Sequence, residues 1–243
     1  MDSLLSCKTS GIPVERGEDY FERVTGKLAI AGLRKSTLVF SDGFVVSDTV
    51  LFSKRVIDAL VACAILLLTA PLMALTALAI RLESRGPVLF SQERVGRHGK
   101  VFRVRKFRSM SQDAEAAGAG VWAQAEDPRV TRVGGLLRKT RIDELPQLWN
   151  VLNGEMSLVG PRPERPCFVE QLKELSPLYE QRHAVRPGLT GWAQINSGYA
   201  ASFEASLEKL QYDLFYIKNL SILLDLSIML STIKTVLFAR GGR

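Results

Sequence analysis

The 243-residue chain contains only three cysteines, Cys7, Cys63 and Cys167, far apart and odd in number. No C-x-x-C pair occurs. This argues against a disulfide-stapled secreted module or a zinc module and makes a reducing compartment the default. Histidine is scarcer still: His98 and His183 lie far apart and have no metal-ligand spacing. The sequence carries no internal repeat. Its first fifty residues mix acidic, basic and glycine residues, without the apolar stretch of a cleavable secretion signal. Only one long apolar run exists, so no comparable second helix is available to return the chain across a bilayer.

Hydrophobic residues make up 47% of the chain and charged residues 23%, which excludes a disordered or low-complexity protein. Lys plus Arg number 32 against 25 Asp plus Glu, a net charge of +7. That excess suits an anionic partner: nucleic acid, a phosphorylated substrate or an anionic membrane surface.

Residues 1–52 read as an appendage of unknown role. Short β-prone pieces, Ser36 to Phe40 and Phe44 to Val46, flank a turn signal at Ser41, Asp42 and Gly43. At Val56 the composition changes. From there to Ile80 the chain is almost wholly apolar, broken by Asp58, Thr69, Pro71 and Thr76. As a straight helix this run would reach roughly 37 Å, enough to cross a bilayer core of roughly 30 Å. Pro71 cannot donate to the helix ladder and favours a break near the middle. Both flanks are basic, Lys54 and Arg55 before and Arg81 and Arg85 after, which asks for both ends on the cytoplasmic side. A re-entrant helix over residues 53–85 meets these conditions, with Asp58 pairing Lys54 or Arg55 near the headgroups.

Residues 86–243 read as a compact cytosolic domain, α/β but mostly α. Pro87 to Ser91 and Val101 to Phe107 are strand candidates around a Gly-containing turn, and the second has one basic face. Residues 111–128 read as a surface loop. Val130 to Leu152 is helical in pattern, with Leu145, Leu148, Trp149 and Leu152 on one face. Asp143 and Pro146 are placed as at a helix start, and Gly154 as at its end. Phe203 to Tyr216 reads as a further helix. Ser221 to Phe238 is apolar over a broad face and suits a membrane interface, an ordinary packed terminal helix being the alternative.

Four clusters could carry chemistry. Asp143-Glu144 is an acidic pair at an expected helix start, where the dipole favours an ionised carboxylate and nearby phosphate. Such an Asp is a usable nucleophile toward phosphorus, and Glu beside it suits Mg²⁺. The pair taken alone is more often a simple cap. Arg132, Arg138, Lys139 and Arg141 lie just upstream, and guanidinium forks match phosphate oxygens. Arg103, Arg105, Lys106 and Arg108 with Ser109 form a basic stripe suited to a pyrophosphate, a membrane surface or nucleic acid. Two Pro-rich loops, Gly160-Pro161-Arg162-Pro163 and Arg186-Pro187-Gly188-Leu189-Thr190-Gly191-Trp192, hold their arginines on stiff backbone.

Taken in order, these residues resemble the bacterial sugar transferases, the monotopic phosphoglycosyl transferases. The likeness runs over about residues 53–240: Lys54-Arg55-Val56-Ile57-Asp58, the broken apolar segment, Lys106-Phe107-Arg108-Ser109-Met110 and Asp143-Glu144-Leu145-Pro146-Gln147-Leu148. It continues through Asn150 to Ser157 and the two Pro-rich loops, and ends at Asp213 in Tyr-Asp-Leu-Phe-Tyr. The resemblance implies transfer of a sugar 1-phosphate from a UDP-sugar to polyprenyl (undecaprenyl) phosphate, with Mg²⁺, at the cytoplasmic face of a bacterial inner membrane. This is the first membrane step of exopolysaccharide, capsule or O-antigen assembly. It implies Asp143 as nucleophile, Glu144 at the metal, Arg138 at the donor phosphates and Arg162 at the nucleotide. Lys106, Arg108, Ser109, Arg186 and Asp213 would lie around the substrates and Pro71 at the membrane break. A second copy of the chain is a further candidate partner; nucleic acid is not expected. Two departures stand out: Ala70-Pro71 where members often have Ser-Pro, and Ser109 where Thr is frequent. The competing reading is a membrane-anchored basic scaffold without catalysis, which leaves the acids beside the arginines unexplained.

Overall fold

A computed structural model describes residues 2–30, 43–44, 47–111, 127–197 and 202–237. The described chain is mostly helical, with two small two-stranded sheets. Two short helices, α1 (Asp2–Thr9) and α2 (Gly17–Thr25), precede the apolar segment. The strand candidates of the appendage lie outside the described residues apart from Phe44, whose φ of 62° is not extended. The appendage is docked beyond α2: the Trp192 indole donates to the Gly26 carbonyl at 2.8 Å, and the Leu28 amide donates to the Gln211 carbonyl at 3.1 Å. Lys218 closes the same seam on Glu22 at 2.6 Å.

The apolar run forms one 36-residue helix, α3 (Asp48–Glu83), capped by the Ser47 side chain and containing Pro71. It is long and apolar enough to cross a membrane. Leu60, Leu67, Leu68, Leu75, Leu78 and Leu82 are exposed along it. The Thr69 hydroxyl donates to the Ile65 carbonyl at 2.7 Å, a back-bond of the kind that bends helices, from two residues before the proline.

Both ends of α3 are tied to the same folded body. Near the start, Lys54 donates to the Val159 carbonyl and pairs with Asp225, Arg55 donates to the Val151 and Leu152 carbonyls, and Asp58 accepts from the Leu158 amide. Near the end, Ile80 packs against Phe107 and Leu137, Glu83 accepts from the Val133 amide, and the carbonyls of Ser84 and Arg85 accept from Arg108.

After α3 comes an antiparallel hairpin, β1 (Leu89–Val95) and β2 (Val101–Phe107), in which Leu89 faces Phe107 and Val95 faces Val101. The first strand lies further along the chain than the sequence pattern placed it. The helical stretch expected from Val130 to Leu152 is divided into α4 (Arg132–Thr140), a 3₁₀ turn (Ile142–Glu144) and α5 (Gln147–Leu152), because Arg141 takes a left-handed φ of 60°. β3 (Ser157–Val159) follows, then α6 (Pro166–Leu175), a 3₁₀ turn (Tyr179–Ala184) and β4 (Gly188–Thr190), parallel to β3. α7 (Trp192–Asn196), α8 (Phe203–Lys218) and α9 (Ile222–Leu237) complete the described residues.

The main core joins Leu148 and Val151 of α5, Leu158 and Val159 of β3, Leu172 of α6 and Leu210 and Leu214 of α8 to the first half of α3. On α9, Asp225 and Ile228 face inward, while Leu223, Leu226, Leu230 and Ile233 stay exposed. Its outward side is therefore largely apolar, with Ser227 and Lys234 also exposed, a pattern that suits an interfacial helix.

Candidate active site

The acidic pair is positioned by what precedes it. α4 starts from Thr131, whose hydroxyl accepts from the Gly134 amide at 2.9 Å. Gly134 passes so close to β2's exit that an added Cβ would lie 2.0 Å from the Ser109 carbonyl oxygen, so only glycine fits. The left-handed Arg141 then turns the chain, and Ile142 to Leu152 continues as one helical path through Leu145 and Pro146. Asp143 is thus inside a helical run and does not cap it; Pro146 precedes α5, its fixed φ suiting the helical path.

Asp143 and Glu144 are both buried, at 7% and 9% exposure. One Glu144 oxygen, Oε1, gathers three cations: Lys106 Nζ at 2.8 Å, Arg162 Nη2 at 3.0 Å and Arg141 Nη1 at 3.9 Å. Burial pushes Glu144 up, but Lys106 and Arg162 together push harder, so its carboxyl lies well below the ordinary range. Asp143 goes the other way. Burial raises it, and Lys106, Arg141 and Arg138 only partly oppose this. Its Oδ1 has no hydrogen-bond partner among the described residues. The helix-end account of Asp143 is therefore replaced: desolvation raises its carboxyl above the ordinary value, and the nearby cations limit that rise.

Arg162 is aimed by its backbone. The Arg162 carbonyl accepts from Arg182 at 2.9 Å and the Pro163 carbonyl from Arg94 at 3.2 Å. Arg182 is itself buried, pairs with Asp213 at 2.8 Å and donates to the Tyr179 hydroxyl at 2.6 Å. The two Pro-rich loops interlock through glycine. The Gly160 amide donates to the Thr190 carbonyl and the Gly188 amide to the Pro161 carbonyl; an added Cβ on Gly188 would meet the Gly160 nitrogen at 2.1 Å.

Lys106, Asp143, Glu144 and Arg162 thus converge, with Arg138 close enough to act on Asp143 electrostatically. Arg186 lies nearer the end of α5, donating to the Gly154 carbonyl at 3.0 Å. Asp213 is beneath the site and reaches it only through Arg182. Arg108 is elsewhere: its guanidinium donates to the Ser84 and Arg85 carbonyls and the Ser84 hydroxyl, clamping the end of α3. The Ser109 carbonyl accepts from the Thr131 amide. Arg182 is the positioning residue that the sequence reading missed; its place three residues before Val-Arg-Pro gave no sign of burial. Among the described residues no third acidic, His or Cys side chain joins the acids as a metal cluster. Two carboxylates, one with a buried unpartnered oxygen, suit an ion such as Mg²⁺ that takes its other ligands from phosphate and water.

The bacterial sugar transferase family model matches residues 49–239. The chain is 47% identical over 240 residues to the UDP-N-acetylgalactosamine-undecaprenyl-phosphate N-acetylgalactosaminephosphotransferase of Aeromonas hydrophila, covering 99% of this chain and 56% of that protein. It is 42% identical over 245 residues to the undecaprenyl-phosphate glucose phosphotransferase of Komagataeibacter xylinus, covering 99% and 43%. It is 46% identical over 182 residues to the UDP-glucose:undecaprenyl-phosphate glucose-1-phosphate transferase of Escherichia coli K12, covering 74% and 39%. The chain thus spans about half the length, or less, of these curated relatives.

Proposed function

Since the chain belongs to the bacterial sugar transferase family, we propose that it moves a sugar 1-phosphate from a UDP-sugar to undecaprenyl phosphate, as an early membrane step of exopolysaccharide-type glycan assembly. The observation that carries this reading is the buried Asp143, with one oxygen unpartnered, beside a Glu144 already neutralised by Lys106 and Arg162. In the first half-reaction an Asp143 oxygen attacks the sugar-linked phosphorus. A new O–P bond forms, the bond to the uridylyl oxygen breaks, and UMP leaves. In the second, a phosphate oxygen of the lipid attacks the same phosphorus, the acyl phosphate bond breaks, and Asp143 is regenerated. Each step exchanges one phosphoryl bond for another, so positioning and charge neutralisation are the main demands.

Lys106, Arg162 and Arg138 supply positive charge where phosphate oxygens must gather, and burial strengthens each interaction. Asp143, raised by desolvation, is a stronger base than an exposed carboxylate, while the cations favour its ionised form. Asp143 and Glu144 would hold Mg²⁺ jointly with the donor's phosphates, and the ion, when bound, would further offset their charge.

The membrane reading goes with this. Polar groups at both ends of α3 bond the same body, which supports a helix that enters and leaves one leaflet rather than spanning, with the site on the cytoplasmic face. The relatives' names differ in the sugar, N-acetylgalactosamine or glucose, so both belong in the test. Purified protein with undecaprenyl phosphate and a panel of UDP-sugars should release UMP with at least one donor. Asp143→Asn should stop release and remain membrane-associated, and chelation of divalent metal should stop it as well. Undiminished UMP release by the Asn variant would remove the nucleophile.

A further inference from the structure

We propose that Gln147 is a further catalytic residue: its side-chain amide donates a hydrogen bond to a non-bridging oxygen of the phosphoryl group while that group passes to and from Asp143. This rests on the transferase reading above. Gln147 is 4% exposed, and its Nε2 has no hydrogen-bond partner among the described residues. The backbone between it and the nucleophile is helical throughout: the 3₁₀ turn ends at Leu145 (φ −53°, ψ −38°), Pro146 (φ −61°, ψ −16°) follows, and α5 begins. Residues four apart on such a path share a face, so Gln147 stands one turn beyond Asp143 on the same side.

The neighbouring amide shows what a structural role looks like here. Asn150 is fully buried, and its Nδ2 donates to the Arg103 carbonyl at 2.8 Å and to Glu155 at 2.7 Å. Its Oδ1 accepts from the Arg105 amide at 3.1 Å. Asn150 thereby fastens α5 to the strand bearing Lys106. Gln147 fastens nothing with its Nε2. Nor does that nitrogen orient the nucleophile, because it donates to no acceptor among the described residues, Asp143 included. A buried N–H without an acceptor costs stability in the resting protein, and such groups call for an explanation. The acceptor this site lacks is the one that the reaction brings: a phosphoryl oxygen bonded through phosphorus to Asp143. A neutral amide adds a directed donor there without adding to the positive charge that Lys106, Arg162 and Arg141 already bring around Glu144.

The test is Gln147→Met, which keeps length and removes both polar atoms, read by three measurements on the full chain in detergent or nanodiscs. These are steady-state UMP release, the rate of the UMP burst with donor alone, and the thermal midpoint. The expected result is a fall of about 10²-fold in kcat and in the burst rate, with donor KM within about threefold. The midpoint should be unchanged or higher, since an unsatisfied buried group has gone. Wild-type turnover in Gln147→Met would overturn the assignment. So would activity lost together with a lowered midpoint, which would mark a structural bond. If the wild-type protein releases no UMP from any UDP-sugar, the transferase reading itself fails and the role of Gln147 falls with it; an active wild type beside an equally active variant sinks only the latter.

Discussion

Burial acts on Asp143 and Glu144 in the same direction, and their partners decide the difference. Glu144 has Lys106 and Arg162 in direct contact and is held ionised; Asp143 has cations only at a distance and rises. The residue types were legible in the sequence, because an acidic pair, a basic stripe and stiff Pro-Arg-Pro backbone are local facts. Their division of labour was not, since it depends on which side chains meet across 38 residues, as Lys106 and Glu144 do. His183 shows the same limit. The sequence leaves it as an ordinary surface or core histidine, and it proves to be a core one: it is 7% exposed beside Arg182, and desolvation first, then the Arg182 and Lys173 charges, lower it to about 4. The folded state therefore resists a proton that the unfolded chain accepts near pH 6.5. Its stability contribution is complete above pH 6.5 and is lost as pH falls toward 4, by about 3 kcal/mol. Melting curves between pH 7.5 and 4.5 should show this fall for the wild type and a flatter one for His183→Gln; parallel curves would contradict it.

The elements follow local pattern where pattern is strong and depart where single backbone angles intervene. The hairpin, the apolar helix and α8 were readable from alternation and run length. The break at Arg141 was not, because a left-handed non-glycine residue leaves no periodic trace. The short helices before α3 were also unreadable, and α2 is held by cross-chain bonds to α8. Arg108 belongs to this scale. The sequence placed it with the substrate contacts, whereas its bonds end the long helix on Ser84 and Arg85. Arg108→Met would leave those acceptors unmet and should cost about 2–4 kcal/mol, seen as a lower thermal midpoint with donor KM unchanged. A raised KM at unchanged midpoint would return Arg108 to the substrate.

For the molecule as a whole, α3 and α9 carry rows of exposed leucines, and the acidic pair Asp143 and Glu144 lies in the body to which both ends of α3 are fastened. The flanking charges ask for both ends of α3 on one membrane side, as proposed; the bonds that fasten those ends to one body were not readable from the sequence. In a background with Cys7, Cys63 and Cys167 replaced by serine, single cysteines at the exposed Asp48 and Arg85 should both escape a membrane-impermeant maleimide in intact spheroplasts and both react in inverted vesicles. Labelling of one from each side would mean a spanning helix. The central claim, an Asp143 that carries the sugar phosphate between donor and lipid, is tested most directly by intact-protein and peptide mass spectrometry after rapid acid quench with UDP-sugar and no lipid acceptor. The expected result is a mass increase of one sugar phosphate on the peptide containing Asp143, lost when undecaprenyl phosphate is added before the quench. UMP release with no such adduct at any quench time would contradict it.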